Sequence, residues 1–493
     1  MSLIFPNLYS QWRARTNGAS ALRESCDSSL LSERLLQLAW HYQRLRRENL
    51  RTLDGQKLAV LHPGFWNREA GPDFRQAVLQ IGSNPPQQGD VEIDLHPAGW
   101  RNHRHNSNPA YQEVLLHVVW DGDLTMAPSL PTLALKDVLD ASLAELNSSL
   151  GRIPEDLEGT LKGQCCAPLS ELPLAVVEDI LHQSAAIRLQ AKATQFQARA
   201  REVGWEQSLW EGLFGALGYK HNIWPMRRLA ELRTALAFQP DELESAFVLQ
   251  ASLFGISGLL PGQLSGIRPS GESYLRRIWE VWWRQQERFA DLILPRQMWR
   301  FNGIRPANHP ERRLALAAHW LAQGNLVERL QQWFVTSFED GELLHSLLVL
   351  FQVEHDEFWS RHWTLRSAIM AKSQPLLGAP RVTDLAMNVL LPWFWIRAVA
   401  GKNEVLQQTA EHRYFAWPKT QDNSILRLAR QRLFGRTKVS CLNTAASQQG
   451  LLQIVRDFCN HSNALCEHCH FPELVRASKN GGALVLNTER QMK

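Results

Sequence analysis

The residues best suited to chemistry crowd into one block, Gly64 to Val119. Asp73 heads one stretch of strand character, and Glu92 and Asp94 lie two apart on another. Side chains two apart on a strand share a face, so three carboxylates can converge on one side of a sheet. Carboxylate oxygens are hard ligands for Mg²⁺ or Mn²⁺, which activate water and stabilise the leaving oxygen in phosphoryl chemistry. His96, His103, His105 and His117 fall within 22 positions, with Trp100 and Tyr111 among them. An extended His103-x-His105 would offer two nitrogens to a transition metal, the basis of a His-ligated metalloenzyme, whereas on a helix the two would face apart. The same imidazoles suit general acid–base work, because they titrate near neutral pH. The plainer reading is of surface carboxylates on a small sheet, with His117, inside the apolar LLHVVW, as a hydrogen-bonded core histidine.

A second constellation lies near the C-terminus. Cys459, Cys466 and Cys469 have the spacing of thiolates in tetrahedral metal ligation, with Cys441, a local His461, His468 or His470, or the remote Cys165 or Cys166 as the fourth ligand. A histidine would favour zinc; four cysteines would suit zinc or an iron–sulfur cluster. Buried free thiols are the alternative.

Two basic stretches invite an anionic partner. In GIRPANHPERRLA, Arg305, Arg312 and Arg313 flank the start of a helix, where N–H groups and guanidinium groups can receive a phosphate. The window His412 to Lys438 carries Arg413, Arg427, Arg430, Arg432 and Arg436 beside Tyr414, Phe415 and Trp417, a composition that can track a DNA or RNA backbone. A helix cap with surface charges and a solvated helix face explain the two equally well.

The elements that must position these groups change character along the chain. Residues 30 to 50 place Leu31, Leu35, Leu38, Ala39, Tyr42 and Leu45 on one helical face. Strands follow at Lys57 to His62, Phe74 to Ile81, Asp90 to Leu95 and Val114 to Trp120, with a short helical stretch in the polar segment Gly99 to Glu113. From about Leu146 the windows are helical: Pro173 to Arg201, Pro240 to Phe254, Glu272 to Phe289, Glu311 to Trp333 and Asp384 to Val399. The expected class is α+β. It comprises a small α/β domain over residues 28–140, a helical domain over 141–440, a Cys-rich segment over 441–476 and a tail over 477–493.

Pro72-Asp73, an interval of 18 residues and Glu92-Ile93-Asp94, set in the order helix, three strands, helix, strand, resemble the PD-(D/E)XK nuclease superfamily. The resemblance implies a restriction-endonuclease-like fold, with Asp73 and Glu92 as metal ligands. The usual Lys of the second motif is Asp94 here, and Arg75 or His96 is left to supply its role. It further implies a metal-dependent nuclease, or a catalytically inactive module on the same fold that binds nucleic acid or a protein partner. The late cysteines are similar to the first three of the iron–sulfur loop in endonuclease III-like glycosylases, whose fourth position is Val475 here, and to the iron–sulfur clasp of some PD-(D/E)XK nucleases. Across most of the chain GPDF, the VE dipeptide, HxH, LHVV, GYKHN, LFGISGLLP and the cysteines resemble a conserved bacterial family of unknown function, whose members tend to carry His at the place of Asp94.

Composition sets outer bounds. The 493 residues, 44% hydrophobic and 21% charged, are ordinary for globular chains and too many for one core. A formal charge of +4 permits a nucleic-acid partner without requiring one. The 19 Trp supply either stacking surfaces or core filler. No long apolar run or signal-peptide pattern occurs, so a cytoplasmic protein with no membrane contact is expected, and a reducing compartment favours metal over disulfides for seven unevenly placed cysteines.

Overall fold

A computed structural model describes residues 8–18, 31–67, 71–103, 105–122, 130–143, 145–146, 165–219, 221–234, 246–301, 304–353, 355–420, 424–435, 441–458 and 471–479. The expectations for Cys459, Cys466, Cys469, the neighbouring histidines 461, 468 and 470, Arg436, Lys438 and residues 480–493 of the tail lie outside these.

Helix α1 (Leu8–Gly18) precedes α2 (Glu33–His41), whose N-terminus is capped by the Ser32 hydroxyl accepting from the Leu35 N–H at 3.2 Å. The apolar face of α2 lies against a six-stranded mixed sheet. Its strands are β1 (Leu58–His62), β2 (Phe65–Trp66), β3 (Phe74–Ile81), β4 (Gln87–Ile93), β5 (Val114–Val119) and β6 (Thr132–Ala134). The spatial order is β1-β3-β4-β5-β6, with β2 added to β3. β1, β3 and β4 are antiparallel neighbours, whereas β4, β5 and β6 run parallel. The connection from β4 to β5 carries the short helix α3 (Gly99–Asn102) and two 3-10 turns. The class is α+β, as expected.

Two local departures from the sequence reading have clear causes. Helix α2 ends at His41 instead of running to residue 50, because Gln43 takes a left-handed conformation (φ 48°) and the Arg44 N–H returns to the Ala39 carbonyl at 2.9 Å. This is a Schellman-type stop made without glycine, and it frees Leu45 to bridge to Leu139. The window Glu311 to Trp333 is two helices, Pro310–Ala322 and Leu326–Val335, separated at Gly324 (φ 64°).

The remaining described residues are overwhelmingly helical, led by the helix Leu174–Val203. Leu61 and Val78 of the sheet enter the main helical core, so sheet and helices share buried apolar surface. Arg300 reinforces the join, stacking on Phe65 at 3.8 Å and donating to Gln76 at 2.7 Å. A separate cluster gathers Tyr9, Trp12, Cys165, Cys441, Phe458, Phe471 and Val475. Most tryptophans are core residues, among them Trp40, Trp320, Trp359, Trp393, Trp395 and Trp417; Trp283, at 60% exposure, stands out at the surface. Residues 477–479, expected in the tail, close the helix Phe471–Lys479.

Candidate functional site

Strand alternation and one tight turn build the site. Glu92 lies near the end of β4, and Asp94 lies just beyond, where its N–H still bonds to the Val118 carbonyl at 3.0 Å. Both side chains are buried. Asp73 precedes β3 and locks onto β4 twice: its N–H donates to Glu92 Oε2 at 3.1 Å, and its Oδ2 accepts from the Ile93 N–H at 3.1 Å. From α2, Gln37 Nε2 donates to Asp73 Oδ1 at 2.9 Å and lies 3.2 Å from Glu33 Oε1. Three carboxylate oxygens of the Asp73–Glu92 pair are thus occupied by N–H groups, and Glu92 Oε1 faces the histidines.

Neither His103 nor His105 lies on a strand or inside a regular α-helix. His103 caps the C-terminal end of α3 and His105 opens a 3-10 turn, and both rings reach the carboxylates. His103 Nδ1 lies 3.2 Å from Asp94 Oδ1, His105 Nε2 lies 3.2 Å from Glu92 Oε1, and His117 Nε2 lies 2.9 Å from Asp94 Oδ2. His117, wholly buried on β5, is the hydrogen-bonded core histidine and orients Asp94. Tyr111 stacks on His105 at 3.9 Å, and Trp100 packs edgewise against His105 at 5.3 Å. His103, 56% exposed, forms the mouth of the cluster. Gly99 is required at its position, since a Cβ there would lie 2.5 Å from the Asp94 carboxylate.

The electrostatics follow from burial and from like charges held together. Burial, with Glu33 and Asp94 nearby, pushes Asp73 up to about 7 despite its hydrogen bonds. Glu92 is pushed up to about 9, by burial first and then by Asp73. Glu33 is raised by burial and Asp94. Burial lowers His105, which keeps its imidazole neutral and able to ligate. Tyr111 is held up at about 12 by burial and the nearby carboxylates.

Asp94, His103 and His105 each bring a ligand atom within 4.8 Å of the others, a geometry compatible with one cation. Both ring nitrogens of His105 are buried without a hydrogen-bond partner, its contact with Glu92 being out of line for one. That orphaned imidazole is what a metal would satisfy. Two nitrogens and one carboxylate suit Mn²⁺, Fe²⁺, Co²⁺ or Zn²⁺ better than Mg²⁺.

Other sequence candidates fall elsewhere. His96 is exposed and acts on Asp121. Arg75 is also exposed and acts on Asp90, because a bulge between Phe74 and Ala77, with Gln76 at φ 59°, breaks the alternation that would have kept it beside Asp73. Arg312 and Arg313 are not at a phosphate-accessible surface: they are buried, with Arg312 donating to the carbonyls of Trp359, His362, Gln374 and Pro375 and Arg313 to that of Leu376. Arg305 is exposed. In the second basic window Arg413, Arg432, Tyr414 and Trp417 are buried, Arg430 is half-buried and Arg427 is exposed. Cys441 is buried, and burial raises its thiol. Sequence reasoning missed Glu33 and Gln37; their spacing of four on the polar side of α2 was the available signal.

No helix among the described residues is long and apolar enough to cross a membrane. No curated protein and no solved structure matches the chain. One family signature does, over residues 33–423, a span that contains every residue of the carboxylate–imidazole cluster and stops short of Cys441. The chain belongs to that family, described as a protein of unknown function (DUF2851).

Proposed function

We propose that the cluster is the active centre of a metal-dependent phosphodiester hydrolase acting on nucleic acid. The observation that carries this reading is the convergence of Asp94, His103 and His105 within 4.8 Å, beside a buried Asp73–Glu92 pair. A divalent cation there would supply Lewis acidity to a phosphoryl oxygen and a more acidic bound water. Asp94, His103 and His105 would hold it, and His117 fixes the Asp94 carboxylate that does so. Asp73, at about 7, is poised to accept a proton at neutral pH, and Glu92, at about 9, to hold one. The exposure of His103 supports access of an extended substrate to the cluster. The order of α2, the β1-β3-β4 antiparallel strands, α3 and the parallel β5 also supports the reading, since it resembles the PD-(D/E)XK order, although the metal role that the resemblance gives to Asp73 and Glu92 falls here to Asp94, His103 and His105.

The test is cleavage of end-labelled single-stranded DNA, duplex DNA and RNA with Mg²⁺, Mn²⁺, Co²⁺ or Zn²⁺, comparing the wild type with Asp73→Ala and His105→Ala. Cleavage by the wild type that falls at least ~100-fold in both variants is expected, the scale on which acid–base groups contribute. Equal cleavage by all three proteins refutes the assignment. Tight binding by all three without cleavage makes the chain a nucleic-acid-binding module instead.

A further inference from the structure

A cavity of about 970 Å³ shares no residue with the carboxylate–imidazole cluster. It opens between the segment that follows α2 and the helices Leu174–Val203, Trp205–Leu217 and Ile223–Glu231. Its size is that of a small-molecule site, ~300–1,000 Å³. Its charge is lopsided: seven cationic side chains line it against four carboxylates. Arg44 pairs with Asp140 at 2.8 Å, Arg199 with Glu211 at 2.8 Å and Glu202 at 3.0 Å, and Arg381 with Asp384 at 3.2 Å. Arg47 pairs with Glu231, outside the lining. Lys192, Arg227 and Arg305 are left with no carboxylate ion pair among the described residues.

These three are differently held. Among the described residues Lys192 Nζ bonds to neutral amide oxygens, those of Asn388 and Gln449. The Arg227 guanidinium lies over Trp224 at 5.2 Å, and its buried Nε has no hydrogen-bond partner. Gly215 clears room for it, since a Cβ there would stand 2.9 Å from that Nε. Arg305 stands at the exposed side. Stacking against an aromatic face restrains a guanidinium and leaves its N–H edge for an anion, the arrangement that recognises phosphate.

We propose that this cavity binds a polyphosphate-bearing ligand of nucleotide size, with Lys192, Arg227 and Arg305 as its phosphate contacts. The shared chemistry is two or more linked phosphates, whether from a free polyphosphate, a nucleoside polyphosphate or a 5′-triphosphorylated strand end. Burial lowers the proton affinity of Lys192 and Arg227, and an arriving polyanion relieves that cost. The inference stands apart from the hydrolase reading, which could fail without affecting it.

The test is calorimetric titration of the full chain, at fixed ionic strength, with inorganic triphosphate, ATP and a 5′-triphosphorylated trinucleotide. Saturable binding of at least one probe is expected, weakened tenfold or more in Arg227→Met and Arg305→Met and unchanged in the control Arg276→Met, an exposed arginine. Competition among the probes identifies the source: triphosphate alone points to a free polyphosphate, ATP to a nucleotide, the trinucleotide to a strand end. Should Arg227→Met fail to fold, the exposed Arg305→Met decides. Heats no larger than those from sodium chloride at equal ionic strength, or affinities unchanged in Arg305→Met, overturn the proposal.

Discussion

Replacing Glu92 by Gln gives a sharp test of the site's electrostatics. Gln keeps the shape and can accept from the Asp73 N–H as Glu92 Oε2 does, while its amide faces His105. What it removes is a carboxyl group pushed from an ordinary 4.5 up to about 9, by burial and then by Asp73. An acid whose proton affinity rises on folding binds more protons folded than unfolded. Its contribution to stability is therefore fully present below pH 4.5 and is lost progressively as the pH rises towards 9. At pH 7 the gap from 4.5 is 2.5 pH units, and at ~1.36 kcal/mol per unit the penalty is at most ~3.4 kcal/mol. Relaxation and water entry reduce such penalties, so a net gain of ~1–2 kcal/mol for Glu92→Gln is expected. The assay is urea unfolding in EDTA from pH 6 to 9, followed by hydrogen exchange of the β4 peptide, because a chain this long does not unfold in one step. The wild type should lose stability with rising pH and Glu92→Gln should lose markedly less; parallel slopes would refute the reasoning.

Four further outcomes are expected. Because Glu92, at about 9, holds a proton at pH 7 and Asp73, at about 7, holds one part of the time, a nearby cation would displace them: binding of Co²⁺ or Zn²⁺ should release protons at pH 7 and fewer above pH 9, read as buffer-dependent heats in calorimetry. Gly99→Ala should cost ~1–3 kcal/mol and lower Co²⁺ affinity at least tenfold, because the new methyl occupies the Asp94 carboxylate's position; thermal melts and cobalt absorption spectra check it. Arg312→Met should destabilise by ~3 kcal/mol or more by stranding buried carbonyls, whereas the exposed Arg427→Ala should change stability by less than ~0.5 kcal/mol, both from urea midpoints. Iron and zinc analysis of the purified chain tests the cysteine expectation: metal lost in Cys466→Ala but retained in His103→Ala supports a separate cysteine site, and no metal in the wild type, purified anaerobically, sets it aside.

The sheet was legible because its strands alternate and are bounded by Gly, Pro and Asn, and the helices because their apolar positions recur every three to four residues. Boundaries were less so. Gln43 stops α2 in a conformation that glycine normally signals, and a bulge at Gln76 turns Arg75 away from Asp73. The carboxylates and imidazoles were visible as a crowd, but their pairings were not, since they depend on the 3-10 turn between α3 and β5. Glu33 and Gln37 read as ordinary polar positions of an amphipathic helix until α2 is laid on the sheet.

The sequence by itself determined composition, element types and which residues carry chemistry, because periodicity and side-chain type are local properties. Tertiary structure alone decided which of them meet. Arg312 and Arg313 have the same charge as Arg305, yet packing buries the first two against carbonyls and leaves the third exposed beside a cavity. The proton affinities of Asp73 and Glu92 are tertiary in the same sense. They arise from lost water and from charges that the fold brings together from α2, β3 and β4, a sum that no local pattern records.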